Sequence, residues 1–230
     1  MKAIILVFCL ATLKLFGQEP SPNYKLTKDS DTIFWSRYHL PEIEKLHLIL
    51  PDGNTDFFRI SSSYYYLELS PLSNKITFYV HEIRDNKQTG EDFIKSFDLS
   101  HEQASRLEFL MDSLKINSIP SDKYISDWSK GLDGITYIIE NKKGNIYSFK
   151  NYWTPSAQKN SAAGKTIYFF TNQMNKITGY LNKRKLFESQ IPFYGWTYNG
   201  SMVITKVISN TREYRKYKRI KKKQAKKDEQ

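Results

Sequence analysis

Two short stretches of this sequence contain residue types that enzymes use for nucleophilic and phosphate chemistry. Ser156 and Lys159 have the Ser-x-x-Lys spacing in which a lysine activates a serine nucleophile, and residues 164–166 (Gly-Lys-Thr) resemble the end of a phosphate-binding loop. The first pattern lacks the Lys-Thr-Gly and Ser-Asp-Asn elements of penicillin-recognising enzymes. The second has Lys159 where the loop requires another glycine. We therefore predict that neither is catalytic and that residues 164–166 form the first turns of a helix.

Carboxylates beside aromatic rings are the other candidate chemistry. Acidic residues lie near Trp128 and Trp153 in the sequence, and a pair of carboxylic acids is the usual machinery of glycoside hydrolysis. A hydrolase would need two of them in one pocket, with the pKa of one raised by burial. The nearest acids are Asp127, Asp133 and Glu140.

Metal and cofactor chemistry has little support in the sequence. The four histidines, at positions 39, 47, 81 and 101, have no metal-ligand spacing, and position 9 holds the only cysteine. We predict no metal site and no cofactor.

Two groups of residues are candidates for binding. The first is predicted either to line a ligand groove at one end of a sheet or simply to pin a hairpin through polar and aromatic pairs. It consists of Asp133, Glu140, Tyr147 and Trp153. The second group, Tyr64 and Tyr66, could present exposed rings to a protein partner.

The elements that must position these residues are predicted from local patterns. Ser100 and Gln103 form a capping box, and apolar residues at helical spacing follow it, which predicts a helix over about 100–116. A second apolar series at helical spacing predicts a helix over about 161–181. Between the two helices, β-branched and aromatic runs flank residues 141–144 (Asn-Lys-Lys-Gly) and predict a hairpin.

Strands dominate the first part of the chain. Residues 33–83 are rich in β-branched and aromatic residues, and the stretch 76–83 is the clearest strand. A loop is expected at 85–90 and a last strand at 202–208. Together these elements predict an α+β fold, with an antiparallel sheet of hairpins and two main helices.

The order of elements from Leu99 to Leu181 follows a recognisable pattern. A Leu-Ser helix start at residues 99–100 precedes Asp133-Gly134, the aromatic strand residue Tyr137 and then Glu140; Tyr147 and the Trp-Thr-Pro of residues 153–155 follow. This stretch resembles an uncharacterised family of small exported bacterial proteins. The resemblance implies export and this order of elements, and it implies no activity.

The N-terminus is typical of a secretory signal peptide. Lys2 precedes an eleven-residue apolar run, Ala3 to Leu13, which is too short for a bilayer span of about 20 apolar residues, and Gly17 is a small residue suited to cleavage. We therefore predict a periplasmic or secreted protein whose mature chain lacks Cys9. The expected organisation is a signal peptide at 1–17, a flexible lead-in at 18–32, a single α+β domain at 33–211 that could divide near 98, and a basic tail at 212–230.

Positive charge is concentrated in the tail. Residues 212–230 contain ten Lys or Arg and three acidic residues, a net charge of +7, whereas residues 18–211 have a net charge of +2. Tyr214, Tyr217 and Ile220 form a narrow apolar stripe that could dock one helical turn on the body. The residues predicted to contact an anionic partner are Arg212, Arg215, Lys216, Lys218 and Arg219.

Three functions remain open from the sequence. The favoured one is a non-enzymatic, exported binding or accessory module whose tail contacts an anionic component of the cell envelope. The second is an accessory or inhibitor protein that binds an envelope protein, and the third is a periplasmic hydrolase that uses carboxylates near Asp133 and Glu140. A tail that only aids solubility is the alternative to the envelope contact, and nucleic acid is the least favoured partner.

Overall fold

A computed structural model describes residues 24–31, 39–198, 202–208 and 211–228. The fold is α+β, as predicted, and in the described residues nine strands form one mostly antiparallel sheet. The predicted signal peptide at 1–17 lies outside the described residues and stays a prediction. The flexible lead-in expected at 18–32 is described only from residue 24 to residue 31, and there the prediction is wrong, because residues 25–26 pair with 146–147 in the sheet and Ser30 is buried. The strands are β1 (Lys25–Leu26), β2 (Phe57–Ser62), β3 (Tyr65–Leu69), β4 (Asn74–Arg84), β5 (Lys87–Asp98), β6 (Thr136–Lys143), β7 (Ile146–Trp153), β8 (Gly195–Thr197) and β9 (Ile204–Thr205).

Hairpins build most of the sheet. Its strand order is β1-β7-β6-β2-β3-β4-β8-β9, and β5 pairs with β4. The predicted hairpin between the two main helices is confirmed as β6 and β7, with Gly144 at its turn in a left-handed conformation (φ 56°) that glycine adopts readily. Strands β2 and β6 pair although about eighty residues separate them in the sequence, and β1 is parallel to β7. The sheet therefore brings together side chains that no local pattern connects.

The helices lie between and after these hairpins. The capping box predicted at Ser100 is present, because the Ser100 hydroxyl accepts from the backbone N–H of Gln103 and the Gln103 side chain accepts from the backbone N–H of Ser100. The helices are α1 (Leu40–Lys45), α2 (His101–Ser113), α3 (Ala162–Thr178), α4 (Tyr180–Gln190) and α5 (Thr211–Asp228).

The two faces of the sheet carry different chemistry. Helices α2, α3 and α4 cover one face and bury the main apolar core, which contains alternate strand residues such as Ile60 and Phe78 and the helix residue Phe170. Helix α1 and the segment that follows it pack on the other face, where Ile43 is fully buried. This second face also buries charged side chains, which is unusual for a sheet interior.

Three predicted elements differ in the structure. The prediction of a loop over 85–90 is wrong. Asp85 and Asn86 make a two-residue turn in left-handed conformations, and β5 begins directly after it, at Lys87. The helix expected over 161–181 is two helices, because Gly179 ends α3 in a left-handed conformation (φ 65°). The last strand, expected at 202–208, is only Ile204–Thr205.

Candidate functional site

On the sheet face beneath α1, three charged residues from neighbouring strands form a buried cluster. Arg59 on β2 lies directly opposite Glu68 on β3 and Glu140 on β6, because the strand registers make them cross-strand partners. Its guanidinium donates from Nη2 to Glu68 Oε2 at 2.8 Å and from Nη1 to Glu140 Oε1 at 2.9 Å. All three side chains are at most 1% exposed. We refer to Arg59, Glu68 and Glu140 as the buried charge cluster.

Glu140 makes two further polar contacts. His39 Nε2 lies 2.8 Å from Glu140 Oε2, and the Tyr147 hydroxyl donates to Glu140 Oε1 at 2.7 Å. Burial raises the pKa of Glu140, but the charges of Arg59 and His39 and the hydrogen bonds from His39 and Tyr147 outweigh it and lower the pKa to about 2. At neutral pH Glu140 is therefore a carboxylate. It lacks the raised pKa that a general acid requires.

The buried charge cluster also holds the segment that follows α1. Glu68 Oε2 accepts a hydrogen bond from the backbone N–H of Ile49 at 3.1 Å, and the Arg59 guanidinium donates to the carbonyl of the same residue. Groups of the protein itself thus hydrogen-bond Arg59 and Glu140, whereas Glu68 Oε1 has no hydrogen-bond partner among the described residues and lies 3.9 Å from Lys75 Nζ. This geometry indicates a structural role, because a charge buried without such partners would be strongly destabilising.

Tyr66 lies in the same buried region, so the prediction that it presents an exposed ring to a protein partner is wrong. The Tyr66 ring is 2% exposed, and its hydroxyl donates to Glu42 of α1 at 2.5 Å. Tyr79 donates to the other oxygen of the same carboxylate. Burial raises the pKa of Tyr66, which keeps the hydroxyl protonated as the donor of this bond. Tyr66 therefore fastens α1 to the sheet and offers no ring to a partner.

Tyr64 belongs to the opposite face of the sheet. Its ring is half-buried, packs against the Tyr198 ring at 5.1 Å between centroids, and lies under the Arg184 guanidinium at 4.9 Å. The two tyrosines consequently do not form the shared ring face that their positions in the sequence suggest.

The structure brings together only part of the predicted ligand groove. Glu140 and Tyr147 touch each other, but both are completely buried. Trp153 lies at the far end of β7, where its ring is so close to Gly134 that a Cβ there would approach it to 2.9 Å. Asp133 is exposed in the neighbouring loop. The two carboxylates that a hydrolase would need, Asp133 and Glu140, therefore do not share a pocket.

The two motif-like stretches flank the start of α3. Ser156 and Lys159 both have exposed side chains, and Pro155–Ala157 forms a short 3-10 helix. Residues 164–166 lie in the first turns of α3, as predicted. Gly164 is needed there for packing, because a Cβ at this position would lie 2.2 Å from the Cβ of Gln158.

The basic tail forms a helix, α5, that contacts the body. The ring of Tyr217 packs against the ring of Tyr194 at 4.6 Å between centroids. Tyr217 and Ile220 also line a cleft of about 850 Å³, whose lining includes the tip of the β4–β5 hairpin. Tyr214 is 47% exposed, so the predicted apolar stripe faces the body with only two of its three members.

Positive charge lies on the exposed surface of α5. All five residues predicted to contact an anionic partner are exposed, namely Arg212, Arg215, Lys216, Lys218 and Arg219. A helix that is fastened through one side and densely charged on the others presents positive charge in a fixed place on the surface. This surface is the candidate functional site, and we refer to it as the basic helix.

The described residues contain neither a metal centre nor a membrane span. No cluster of three or more His, Cys, Asp or Glu side chains there could hold a metal ion. None of the helices in the same ranges is both long enough and apolar enough to cross a membrane.

Comparison with known proteins does not assign this chain to a family. No protein-family model matches it, and no curated protein matches it significantly. The resemblance drawn from residues 99–181 and the predicted export therefore stay predictions.

Proposed function

We propose that this protein is an exported, non-enzymatic binding module that attaches to phosphate-bearing anionic surfaces of the cell envelope through its basic helix. The observation that carries the proposal is the arrangement of α5. Its exposed residues include Arg215, Lys216, Lys218 and Arg219, whereas Tyr217 packs on the body. The proposed export rests on the apolar run and Lys2 at the N-terminus.

The charge of the basic helix is sufficient for peripheral binding. Basic residues near an anionic membrane surface contribute about 1 kcal/mol each, and this attraction decays over a Debye length of about 8 Å at physiological ionic strength. Ten Lys or Arg lie in residues 212–230. Several of them at the surface would therefore give salt-sensitive binding.

The apolar side of α5 argues against deep insertion. Interfacial helices that insert present a broad apolar face, whereas the apolar residues Tyr217 and Ile220 line the cleft on the body. The proposed contact is thus electrostatic and reversible, with the folded body held close to the surface.

Co-sedimentation with lipid vesicles tests this proposal. The mature chain, residues 18–230, is mixed with phosphatidylglycerol or phosphatidylcholine vesicles at about 0.02 M and about 0.5 M NaCl. We expect binding to the anionic vesicles only, and release at the higher salt concentration. Aggregates of lipopolysaccharide form a second arm, because their phosphates offer the same chemistry from another source.

Variants in which basic side chains are replaced by neutral ones identify the surface that binds the vesicles. One variant replaces Arg215, Lys216, Lys218 and Arg219 by Gln, and we expect it to bind at least about tenfold more weakly. The matched control replaces four exposed lysines of the body by Gln: Lys130, Lys143, Lys159 and Lys165. Equal weakening of binding in both variants, or binding that ignores salt, would refute the role of the basic helix.

A further inference from the structure

A second surface lies between α2 and α3. The two helices enclose a groove of about 780 Å³, whose walls include Phe109 and Leu110 of α2 and Phe169 and Ile177 of α3. The Phe109 side chain is 74% exposed and the Phe169 side chain 49% exposed. The buried residues of α2 are Ala104, Leu107 and Met111, and Leu110 is partly buried against the same core.

Exposed aromatic rings around a groove require an explanation. Single apolar residues on a surface are ordinary, but aromatic side chains that share one depression are typical of protein interfaces. Phe109 protrudes next to a depression lined by Leu110 and Ile177, so this surface contains both a knob and a hole.

The charges around the groove indicate what could cover it. Glu102 and Arg106 lie one helical turn apart on α2, with Oε1 and Nη1 separated by 3.8 Å, and Lys176 lies on the α3 side. An interface between two identical copies requires a surface that complements itself in shape and in charge. In this groove, Glu102 of one copy can form an ion pair with Lys176 of the other copy.

We propose that the α2–α3 groove is the interface of a homodimer in which Phe109 of each copy packs into the groove of the other. The proposal is independent of the basic helix, because the residues that line the groove belong to α2 and α3. A dimer would carry two basic helices, which could engage one surface together and raise the apparent affinity through avidity.

Sedimentation equilibrium of the mature chain, residues 18–230, tests the dimer over a concentration series up to about 100 µM. We expect a monomer–dimer equilibrium for the wild type. Phe109→Asp should weaken the dimer by at least about tenfold, because it places a charge at the centre of the interface. The control is Leu132→Asp, because Leu132 is fully exposed and lies outside the groove.

Charge exchange supplies a test that local misfolding cannot imitate. Glu102→Lys and Lys176→Glu should each weaken the dimer, and the double variant should restore most of its stability. Circular dichroism establishes that each variant is folded. If the wild type is monomeric over the whole concentration range, the proposal is overturned. The groove would then be a candidate binding site for a different protein. A dimer that Phe109→Asp leaves intact, or that Leu132→Asp weakens equally, would also overturn it.

Discussion

Arg59 joins two carboxylates that come from the strands on either side of its own. Such a group is costly to bury, and removing one charge typically destabilises a protein by about 3–5 kcal/mol, because the remaining charge is left unpaired. Here the cluster also contacts His39 and the Ile49 backbone, so its loss would loosen the segment that covers this face.

The pH dependence of the free energy of unfolding should reveal the ion pair between Glu140 and Arg59. The pKa of Glu140 is lowered to about 2 in the folded protein, so its contribution is complete above the unfolded pKa, about 4.5, and is lost as the pH falls towards 2. Glu140→Gln should therefore lower the free energy of unfolding by about 3–5 kcal/mol at pH 7. The difference from wild type should shrink on acidification.

Urea unfolding at several pH values, followed by tryptophan fluorescence, measures this difference. Glu44→Gln is the matched control, because Glu44 is an exposed glutamate that lies outside both the buried charge cluster and the α2–α3 groove. We expect the control to stay close to wild type at every pH. A constant gap between wild type and Glu140→Gln from pH 7 to pH 2.5 would contradict the pairing described here.

No local sequence pattern identifies this cluster. The hairpin pattern does predict polar and aromatic pairing around Glu140, and Tyr147 of β7 donates a hydrogen bond to it. The stronger partner, Arg59, is 81 positions away in the sequence, and His39 is 101 positions away. Both are brought to Glu140 by the pairing of β2 with β6 and by the folding of α1 across the sheet, which are long-range events.

At the scale of elements, the confirmed predictions rest on short-range chemistry. The capping box at Ser100 and the β6–β7 hairpin each depend on residues within a few positions of one another. The boundary at Gly179 cannot be read from the apolar spacing, because that spacing continues through it. The composition of the tail likewise does not predict helix α5, because it is typical of a solvated run of charged residues.

Gly179 separates α3 from α4 through its left-handed conformation. A side chain at this position has space, since the nearest atom to an added Cβ would be Lys183 Nζ at 4.0 Å, so the cost of a substitution is conformational. Gly179→Ala should therefore destabilise the protein by about 1 kcal/mol, which lowers the melting temperature by about 2–4 °C.

Thermal unfolding followed by circular dichroism checks this prediction. The control is Gly53→Ala, because Gly53 has no positive φ and a Cβ there would meet only the Leu50 carbonyl oxygen at 3.4 Å. The control should change the melting temperature little. An unchanged or higher melting temperature for Gly179→Ala would mean that α3 and α4 can merge into one helix.

At the scale of the whole molecule, the basic helix and the aromatic groove are built from different elements. The groove belongs to α2 and α3, which cover one face of the sheet, whereas α5 contacts the segment after α4 through Tyr194. Substitutions in the two surfaces should therefore act independently on folding. Their effects on vesicle binding and on self-association can then be separated.

The aromatic contact that anchors α5 leads to a last prediction. A ring pair of this kind contributes about 0.5–1.5 kcal/mol, so Tyr217→Ser should increase the population of released helix about fivefold. The many lysines of α5 make trypsin a suitable probe of that release. We expect cleavage within residues 212–228 to become several-fold faster, with little change in the free energy of unfolding of the body.

Tyr214→Ser is the matched control for this experiment. It removes the same side chain from the same helix, but Tyr214 is 47% exposed and its ring lies beside Lys218, not Tyr194. Mass spectrometry of timed digests should show faster cleavage for Tyr217→Ser alone. Equal cleavage rates in the two variants would mean that α5 is not held by Tyr217, and the basic charge would then have no fixed position on the molecule.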